Sequence, residues 1–281
     1  MKYLEEKLVK FLMVFSVLLT LTPLILIIGI TVVKGGGALI NNPEILIKVP
    51  GPKYLLGGEG GFFHAIMGSF YMVLPATIIA SLFAVATAIF LQLDYSSRIY
   101  AGYIRIILDI LWGTPSIIYG VFILVILIFL QQRGCLLAGI FSLTLLEFPI
   151  ITRYADEAIS CVPKEIRENT YSMGATRWET SVIKIRYALP GIIAGILIGL
   201  GRGLGDAAAV IFTTGTGNSL PGGLLQSATA LPVIIYQQAN SFYVSVRDQA
   251  YAASFLLIVL FFIINVISRH FYAKFSKYVK G

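Results

Sequence analysis

Two ionisable residues, Arg202 and Asp206, stand four positions apart within a long apolar stretch. On a helix, side chains at this spacing lie on one face. If the stretch crosses a bilayer, each charge costs roughly 2.5 to 3.5 kcal/mol on insertion scales, so both face protein or water and are candidate functional residues. Two interpretations stay open. Arg202 lines the path of an anion, because a guanidinium matches an oxyanion in bidentate fashion, or it forms a structural ion pair with Asp206.

No other pattern in the chain predicts chemistry. The sequence contains no HExxH, GxSxG, CxxC or GxxxxGK[ST] motif, and these are the usual signatures of metalloproteases, serine hydrolases, thiol redox sites and P-loop ATPases. Its two cysteines, Cys135 and Cys161, are not in a metal-ligand spacing. We therefore expect a protein that is not an enzyme and has no metal site or cofactor of its own. If ATP drives its activity, a partner chain must bind the ATP.

The composition predicts an integral membrane protein. Of 281 residues, 57% are hydrophobic and only 12% are charged, and the mean hydropathy is +0.86. A helix needs about 20 apolar residues to cross a bilayer, and six stretches are long enough. The predicted fold is an all-α polytopic membrane protein with six transmembrane helices, a single transmembrane domain over residues 1–281. The expected spans are 11–33, 66–93, 104–131, 136–154, 188–213 and 249–272.

The distribution of lysine and arginine predicts the orientation. If the N-terminus lies inside, most of the 21 basic residues fall on the cytoplasmic side, and Arg202 falls within a span. This is the positive-inside pattern, and it places both termini in the cytoplasm. The net charge of +7 therefore reflects topology, so the expected partner is the lipid bilayer and nucleic-acid binding is not expected.

A polar segment over residues 163–187 separates the fourth and fifth spans on the cytoplasmic side. Pro163 suits the first turn of a helix, Gly174 suits a left-handed helix end, and Thr176 with Glu179 fits a capping box that starts another helix. The pattern predicts a helix, a glycine corner and a second helix. Such a helix between spans is either a docking element for a partner's groove or an ordinary solvated loop.

Two features within the spans bear on packing or on a transport path. Gly113, Thr114, Pro115 and Ser116 interrupt the third span, and broken helices either line a substrate path or serve packing. In the fifth span, glycines recur every four residues and give one smooth face on which another helix can approach closely. These helix-packing candidates are Gly191, Gly195, Gly199 and Gly203.

Together, these residues resemble the inner-membrane permeases of ABC importers, and among them the A-type permease subunit of the phosphate type. That family carries Glu-Ala-Ala, three residues and Gly in its cytoplasmic loop, and Glu168-Asn169-Thr170 followed by Gly174-Ala175-Thr176 occupies that pattern here. The resemblance covers nearly the whole chain. It extends to the stretches 113–120, 157–158, 162–163, 174–178, 189–192, 201–206 and 231–236.

Three departures from the family pattern accompany the resemblance. The family usually has Ala-Ala where Asn169-Thr170 stand, Leu-Pro where Arg186-Tyr187 stand, and Glu where Asp206 stands. The first two put the detailed fit of the coupling helix in doubt, because Arg186 adds charge where an apolar turn is usual. The third keeps the negative charge on a shorter side chain.

The resemblance implies a permease subunit of an ATP-driven importer that moves inorganic phosphate across the inner (plasma) membrane. Its implied partners are ATP-binding cassette ATPase subunits that bind ATP and Mg, a second permease subunit paired along the Gly-rich spans, and an external phosphate-binding protein. The implied coupling residues are Glu168, Asn169, Thr170, Gly174, Ala175, Thr176 and Trp178. The candidates for the translocation path are Arg202, Asp206, Thr114, Pro115 and Ser116.

Three alternatives stay open at this point. The cargo could be another oxyanion, such as sulfate or molybdate. The chain could be a secondary transporter or channel driven by an ion gradient, although no inverted internal repeat is evident. An intramembrane enzyme is the third alternative, and no paired catalytic groups support it.

Overall fold

The computed structural model describes residues 2–51, 54 and 60–279, and within them the regular structure is helical throughout. The helices are α1 (Lys2–Asn41), α2 (Phe63–Phe90), α3 (Arg98–Gly113), α4 (Ser116–Phe129), α5 (Leu136–Ser160), α6 (Lys164–Ser172), α7 (Arg177–Gly205), α8 (Leu231–Ala239) and α9 (Val244–Val279), with a 3-10 helix at Pro43–Leu46.

Five of these helices, α1, α2, α5, α7 and α9, are long and apolar enough to cross a membrane by themselves. The pair α3 and α4 makes a sixth candidate span if it is counted as one, although the two helices meet at 94°. The predicted all-α polytopic fold is therefore confirmed.

The third predicted span, 104–131, is not one continuous helix. The expected interruption lies at Thr114, which ends α3 in an extended conformation with ψ 131°, and at Pro115, which precedes α4. Proline has no N–H to donate and pushes the residue before it away from helical geometry. Residues 114 and 115 therefore form the corner of this bend.

Helices α1, α5, α7 and α9 differ in length from their predicted spans, and the differences at α1 and α7 bear on the packing of the site. Helix α1 continues to Asn41 because it packs against α9, where a Cβ on Gly35 would come within 2.3 Å of the Tyr251 carbonyl oxygen. Only glycine permits so close a helix contact. Helix α7 stops at Gly205, whereas the predicted span continued to 213.

The core surrounds α5, which packs against α2 on one side and α7 on the other. Its buried Leu143 and Leu146 meet Met72 and Val73 of α2 and Leu204 of α7. In contrast, the apolar window of α1 has no buried residue. The helices that carry the candidate functional residues are therefore the interior ones.

Candidate functional site

The polar segment over residues 163–187 folds as predicted, as a helix, a glycine corner and a helix. Helix α6 ends at Ser172, and Gly174 follows with φ +81°. The Gly174 N–H donates to the Tyr171 carbonyl at 2.9 Å and the Ala175 N–H donates to Thr170 at 3.2 Å. A left-handed residue lets these two N–H groups satisfy carbonyls at the helix end, and glycine adopts that conformation at no steric cost.

The predicted capping box starts α7. The Thr176 hydroxyl accepts the Glu179 N–H at 3.3 Å, and the Glu179 carboxylate accepts the Thr176 N–H at 2.8 Å. Both bonds satisfy N–H groups that a helix start leaves without partners. The turn between α6 and α7 is thus fixed from both sides.

The corner exposes large apolar side chains to solvent. Met173 is 88% exposed and Trp178 is 63% exposed. Together with Gly174 and Ala175 they border a cleft of about 680 Å³ that Arg186 also lines. Glu179 lines the same cleft, so Arg186, where an apolar turn was expected, is one of two charged residues on a largely apolar surface.

The predicted coupling residues do not all lie on this surface. Glu168 and Asn169 of α6 are exposed, as are Gly174, Thr176 and Trp178, and Ala175 is half-buried. Thr170 is buried, with its hydroxyl donated to the Ile166 carbonyl of its own helix. It therefore packs α6 against the rest of the chain and offers little to a partner.

A buried carboxylate, Asp94, holds α6 in place. It lies in the loop between α2 and α3, and it accepts hydrogen bonds from Arg167 Nε at 2.7 Å, the Tyr171 hydroxyl at 2.9 Å and Lys184 Nζ at 3.3 Å. Burial by itself raises the pKa of the Asp94 carboxyl, but the three donors outweigh it and the pKa lies below its ordinary value. Asp94 therefore joins the α2–α3 loop, α6 and α7 as a charged group.

A second buried carboxylate, Asp156 near the end of α5, extends this network. It accepts two hydrogen bonds from Arg105 of α3, at 2.7 and 2.9 Å. Gln92 links the two carboxylates, because it donates to Asp156 at 3.1 Å and accepts from Lys184 at 3.3 Å. We name this set the α6 ion network: Asp94, Arg167, Tyr171, Lys184, Gln92, Asp156 and Arg105. We did not predict it from the sequence.

The corner of the bent span forms a second polar region. Thr114 donates its hydroxyl to the Ile110 carbonyl at 2.8 Å, and the Tyr119 hydroxyl bridges the bend by donating to the Leu111 carbonyl at 2.7 Å. A Cβ on Gly120 would lie 2.7 Å from the carbonyl oxygen of Ala209. The start of α4 is thus in close contact with the segment that follows α7.

Arg202 and Asp206 lie beside this corner, but they form no ion pair. Among the residues the structure describes, Arg202 has no carboxylate within 4 Å. Because α7 ends at Gly205, Asp206 leaves the helix face and its carboxylate accepts the Ala209 N–H at 2.8 Å. The structural ion-pair interpretation is therefore wrong. Arg202 is exposed and close enough to Tyr119 to interact with it electrostatically.

The glycine face of α7 lies against α5 of the same chain. A Cβ would come within 2.6 Å of Ala158 at Gly191, 2.4 Å of Tyr154 at Gly195 and 2.7 Å of Ile151 at Gly199. At Gly203 the neighbour is Glu147, a buried residue with no hydrogen-bond partner for either carboxylate oxygen among the described residues. Since α5 covers this face, it is not free to pair with a second permease, contrary to the expectation stated above.

Comparison with known proteins identifies the family. A family model of binding-protein-dependent transport system inner membrane components matches residues 85–280. The phosphate transport system permease protein PstA of Mycobacterium leprae (strain TN) is 30% identical over 261 residues, which cover 91% of this chain and 84% of that protein. PstA of Haemophilus influenzae is 30% identical over 215 residues, 76% of each chain.

Solved structures show a similar fold. A chain of the MetNI methionine ABC transporter in an inward-facing conformation superposes with a TM-score of 0.58 at 20% identity, covering 76% of this chain and 94% of that chain. A second crystal form gives 0.57 at 21% identity. The chain belongs to the family of binding-protein-dependent transport system inner membrane components.

Proposed function

We propose that this chain is a permease subunit of an ATP-driven ABC importer that moves inorganic phosphate into the cytoplasm. The cargo is inferred from relatives, because PstA proteins similar over most of this chain carry phosphate transport in their names. The lack of a P-loop motif supports a division of labour in which separate ATPase subunits bind ATP and Mg.

The observation that carries the coupling proposal is the corner between α6 and α7. It exposes Met173 and Trp178 at a turn fixed by Gly174 and the capping box. An exposed helix with apolar anchors suits a hydrophobic groove on a partner protein. We assign Glu168, Asn169, Gly174, Ala175, Thr176 and Trp178 to the surface that docks on the ATPase, with Thr170 as the buried residue that supports it.

The α6 ion network connects this surface to the membrane helices and could transmit a movement of α6 to them. Arg167 and Tyr171 of α6 hold Asp94, and Gln92 connects that group to Asp156 of α5. A displacement of α6 therefore pulls on α2, α3, α5 and α7 through charge-assisted hydrogen bonds, which are stronger than neutral ones. A flexible loop that lacked these hydrogen bonds would not transmit the displacement of α6 to the other helices.

The translocation path of this proposal passes Arg202 and the bend formed by Thr114, Pro115 and Ser116. Arg202 has no counter-ion within 4 Å in the described part of the chain, so its charge is available to a passing anion. Asp206 has a different role, since its carboxylate caps the turn after α7. The contact with phosphate is weak and transient, because a path that binds its ion tightly also releases it slowly.

The other components of the importer follow from the same proposal. An external phosphate-binding protein delivers the anion, and a second permease subunit completes the path. The glycine face of α7 is covered by α5, so the second permease pairs through other surfaces. Both termini lie in the cytoplasm and the chain resides in the inner (plasma) membrane, in agreement with the positive-inside pattern.

The test is uptake by proteoliposomes that contain the assembled complex and its binding protein. Labelled phosphate should accumulate only when ATP is present on the side of the ATPase, and unlabelled sulfate or molybdate should not compete. Uptake of sulfate or molybdate in place of phosphate would correct the cargo, and phosphate uptake without ATP or ATPase would replace the importer by a secondary transporter.

A further inference from the structure

A cavity of about 440 Å³ opens beside the N-terminal end of α6, away from the cleft at the glycine corner. Its walls come from the α2–α3 loop, the start of α3, the end of α5, α6 and α7. Five cationic side chains line it, and none of its lining residues is acidic. These five are Arg98, Arg105, Lys164, Arg167 and Lys184.

The carboxylates nearby neutralise only part of this positive charge. Asp156 pairs with Arg105, and the single carboxylate of Asp94 serves both Arg167 and Lys184. Arg98 and Lys164 have no carboxylate within 4 Å among the described residues. Five cations with two carboxylates leave an excess of three positive charges around one cavity, and such a concave surface concentrates anions.

Burial strengthens the interaction of one of these cations with an anion. Lys184 is only 7% exposed, and charges in partly desolvated positions interact more strongly with an anion than charges in bulk water do. The first turn of α6 presents N–H groups that no side chain caps, and the acidic residue of that turn, Glu165, is exposed and does not line the cavity.

On the side of α3 the cavity is lined by Arg98, Ala101 and Arg105, which share one face of that helix, and the opposite face of α3 is apolar. Ile99, Tyr100 and Tyr103 follow Arg98 and are all exposed. Tyrosine is enriched at the level of lipid headgroups, and basic pockets between membrane helices on the cytoplasmic side bind anionic headgroups. The cavity therefore has the charge of a headgroup pocket, and the outward face of α3 carries tyrosines suited to the headgroup level.

We propose that this cavity binds a phosphate-bearing anion at the cytoplasmic surface of the membrane. The phosphodiester of an anionic phospholipid and free inorganic phosphate share this chemistry, and the experiment below distinguishes them. The cytoplasmic placement rests on the orientation in the proposed function, but the binding requires neither transport nor an ATPase.

The experiment compares two double variants of the full chain, purified in a neutral detergent. Arg98→Gln with Lys164→Gln removes the two unpaired cations of the cavity. Lys10→Gln with Arg269→Gln removes the same charge from exposed positions on α1 and α9 that do not line it. Native mass spectrometry counts retained phosphatidylglycerol, with phosphatidylcholine as the neutral probe, and equilibrium dialysis measures labelled inorganic phosphate.

The cavity variant should bind phosphatidylglycerol at least about tenfold more weakly than the wild type, because each basic residue near an anionic surface contributes on the order of 1 kcal/mol. The control variant should bind as the wild type does, and the single change Arg98→Gln should give an intermediate loss.

A loss confined to inorganic phosphate would support the site with free phosphate as its ligand. Equal binding of both probes to wild type, cavity variant and control, or no binding to the wild type, would overturn the proposal. Since no step involves uptake, failed phosphate import would leave this result unaffected.

Discussion

In the described part of the chain, charged residues are paired at the corner between α6 and α7 and unpaired at the bend between α3 and α4. At the corner, Arg167 and Lys184 share the carboxylate of Asp94. At the bend, Arg202 has no such partner among the described residues, and Asp206 is turned toward the Ala209 N–H. Paired charges connect helices rigidly, whereas an unpaired cation can bind a mobile anion. The difference supports the proposed roles, mechanical coupling at the first region and anion contact at the second.

Removal of Asp94 should have the largest effect on stability. Asp94→Ala leaves Arg167 and the buried Lys184 without their carboxylate, and loss of one member of a buried charge pair typically costs 3 to 5 kcal/mol. We expect about 3 kcal/mol, at the low end, because the Arg167 side chain remains 40% exposed. Thermal unfolding of the detergent-solubilised protein measures the loss. Glu44→Ala, which breaks an exposed pair with Lys48, is the control and should change the unfolding temperature little. If the two variants lost the same stability, the buried pairs of Asp94 would contribute no more than an exposed pair does.

The pH dependence of stability should follow from the same residue. The native pKa of Asp94 lies below its ordinary value of 3.8, so its contribution is complete above that value and is lost as the pH falls through the lower native pKa. The wild type should therefore lose stability on acidification below about pH 4, and Asp94→Asn should lose less over that interval. Parallel pH profiles for the two proteins would show that the network does not depend on the charge of Asp94.

A β-branched residue at the glycine corner should have a smaller effect on stability and a large one on coupling. Gly174→Val places a side chain where φ is +81°, which costs about 1 to 2 kcal/mol for a residue other than glycine. A Cβ there meets nothing within 4 Å, so the effect is on the backbone and not on packing. We expect ATP hydrolysis by the complex to continue while phosphate uptake falls. Gly174→Asn, which tolerates the left-handed conformation, is the matched control, and coupled transport by the valine variant would contradict the role of the corner.

Replacement of Arg202 should affect stability least and transport strongly. Because Arg202 is exposed and forms no ion pair, Arg202→Met should unfold at nearly the wild-type temperature while phosphate uptake falls at least about tenfold, as expected when a charge-assisted contact of 1.5 to 3 kcal/mol is lost. Asp206→Ala is the comparison variant. It loses the hydrogen bond from the Ala209 N–H, which should lower the free energy of unfolding by about 1 kcal/mol. If the two changes proved strongly coupled in a double-mutant cycle, the residues would interact after all.

Local signals in the sequence predicted the parts of the structure that depend on neighbouring residues. The end of α6 follows from Gly174, the start of α7 from Thr176 and Glu179, and the break of the third span from Pro115. Each of these involves backbone geometry within a few positions. The 94° angle between α3 and α4 depends on packing, including the contact of Gly120 with Ala209, and was not predictable in the same way.

Long-range contacts explain what the sequence could not predict. Asp94 lies 73 residues from Arg167 and 90 from Lys184, and one sequence gives no indication that they meet. A weak signal existed, because an aspartate beside a predicted span needs a partner or water. The pairing of Arg202 with Asp206 failed for the opposite reason, since the four-residue spacing presumed a helix that in fact ends between them.

Cross-linking tests directly whether the corner between α6 and α7 docks on the ATPase. In a Cys161→Ser background, which removes the exposed natural cysteine, Ser172→Cys introduces a thiol beside Met173, and Asn240→Cys provides a control on the opposite side of the membrane in the proposed orientation. The assembled complex is treated with a short bifunctional thiol reagent and the products are identified by mass spectrometry. We expect a cross-link from position 172 to an ATPase that contains a P-loop, and none from position 240. A complex that transports phosphate with ATP but gives no cross-link from the corner would contradict this docking.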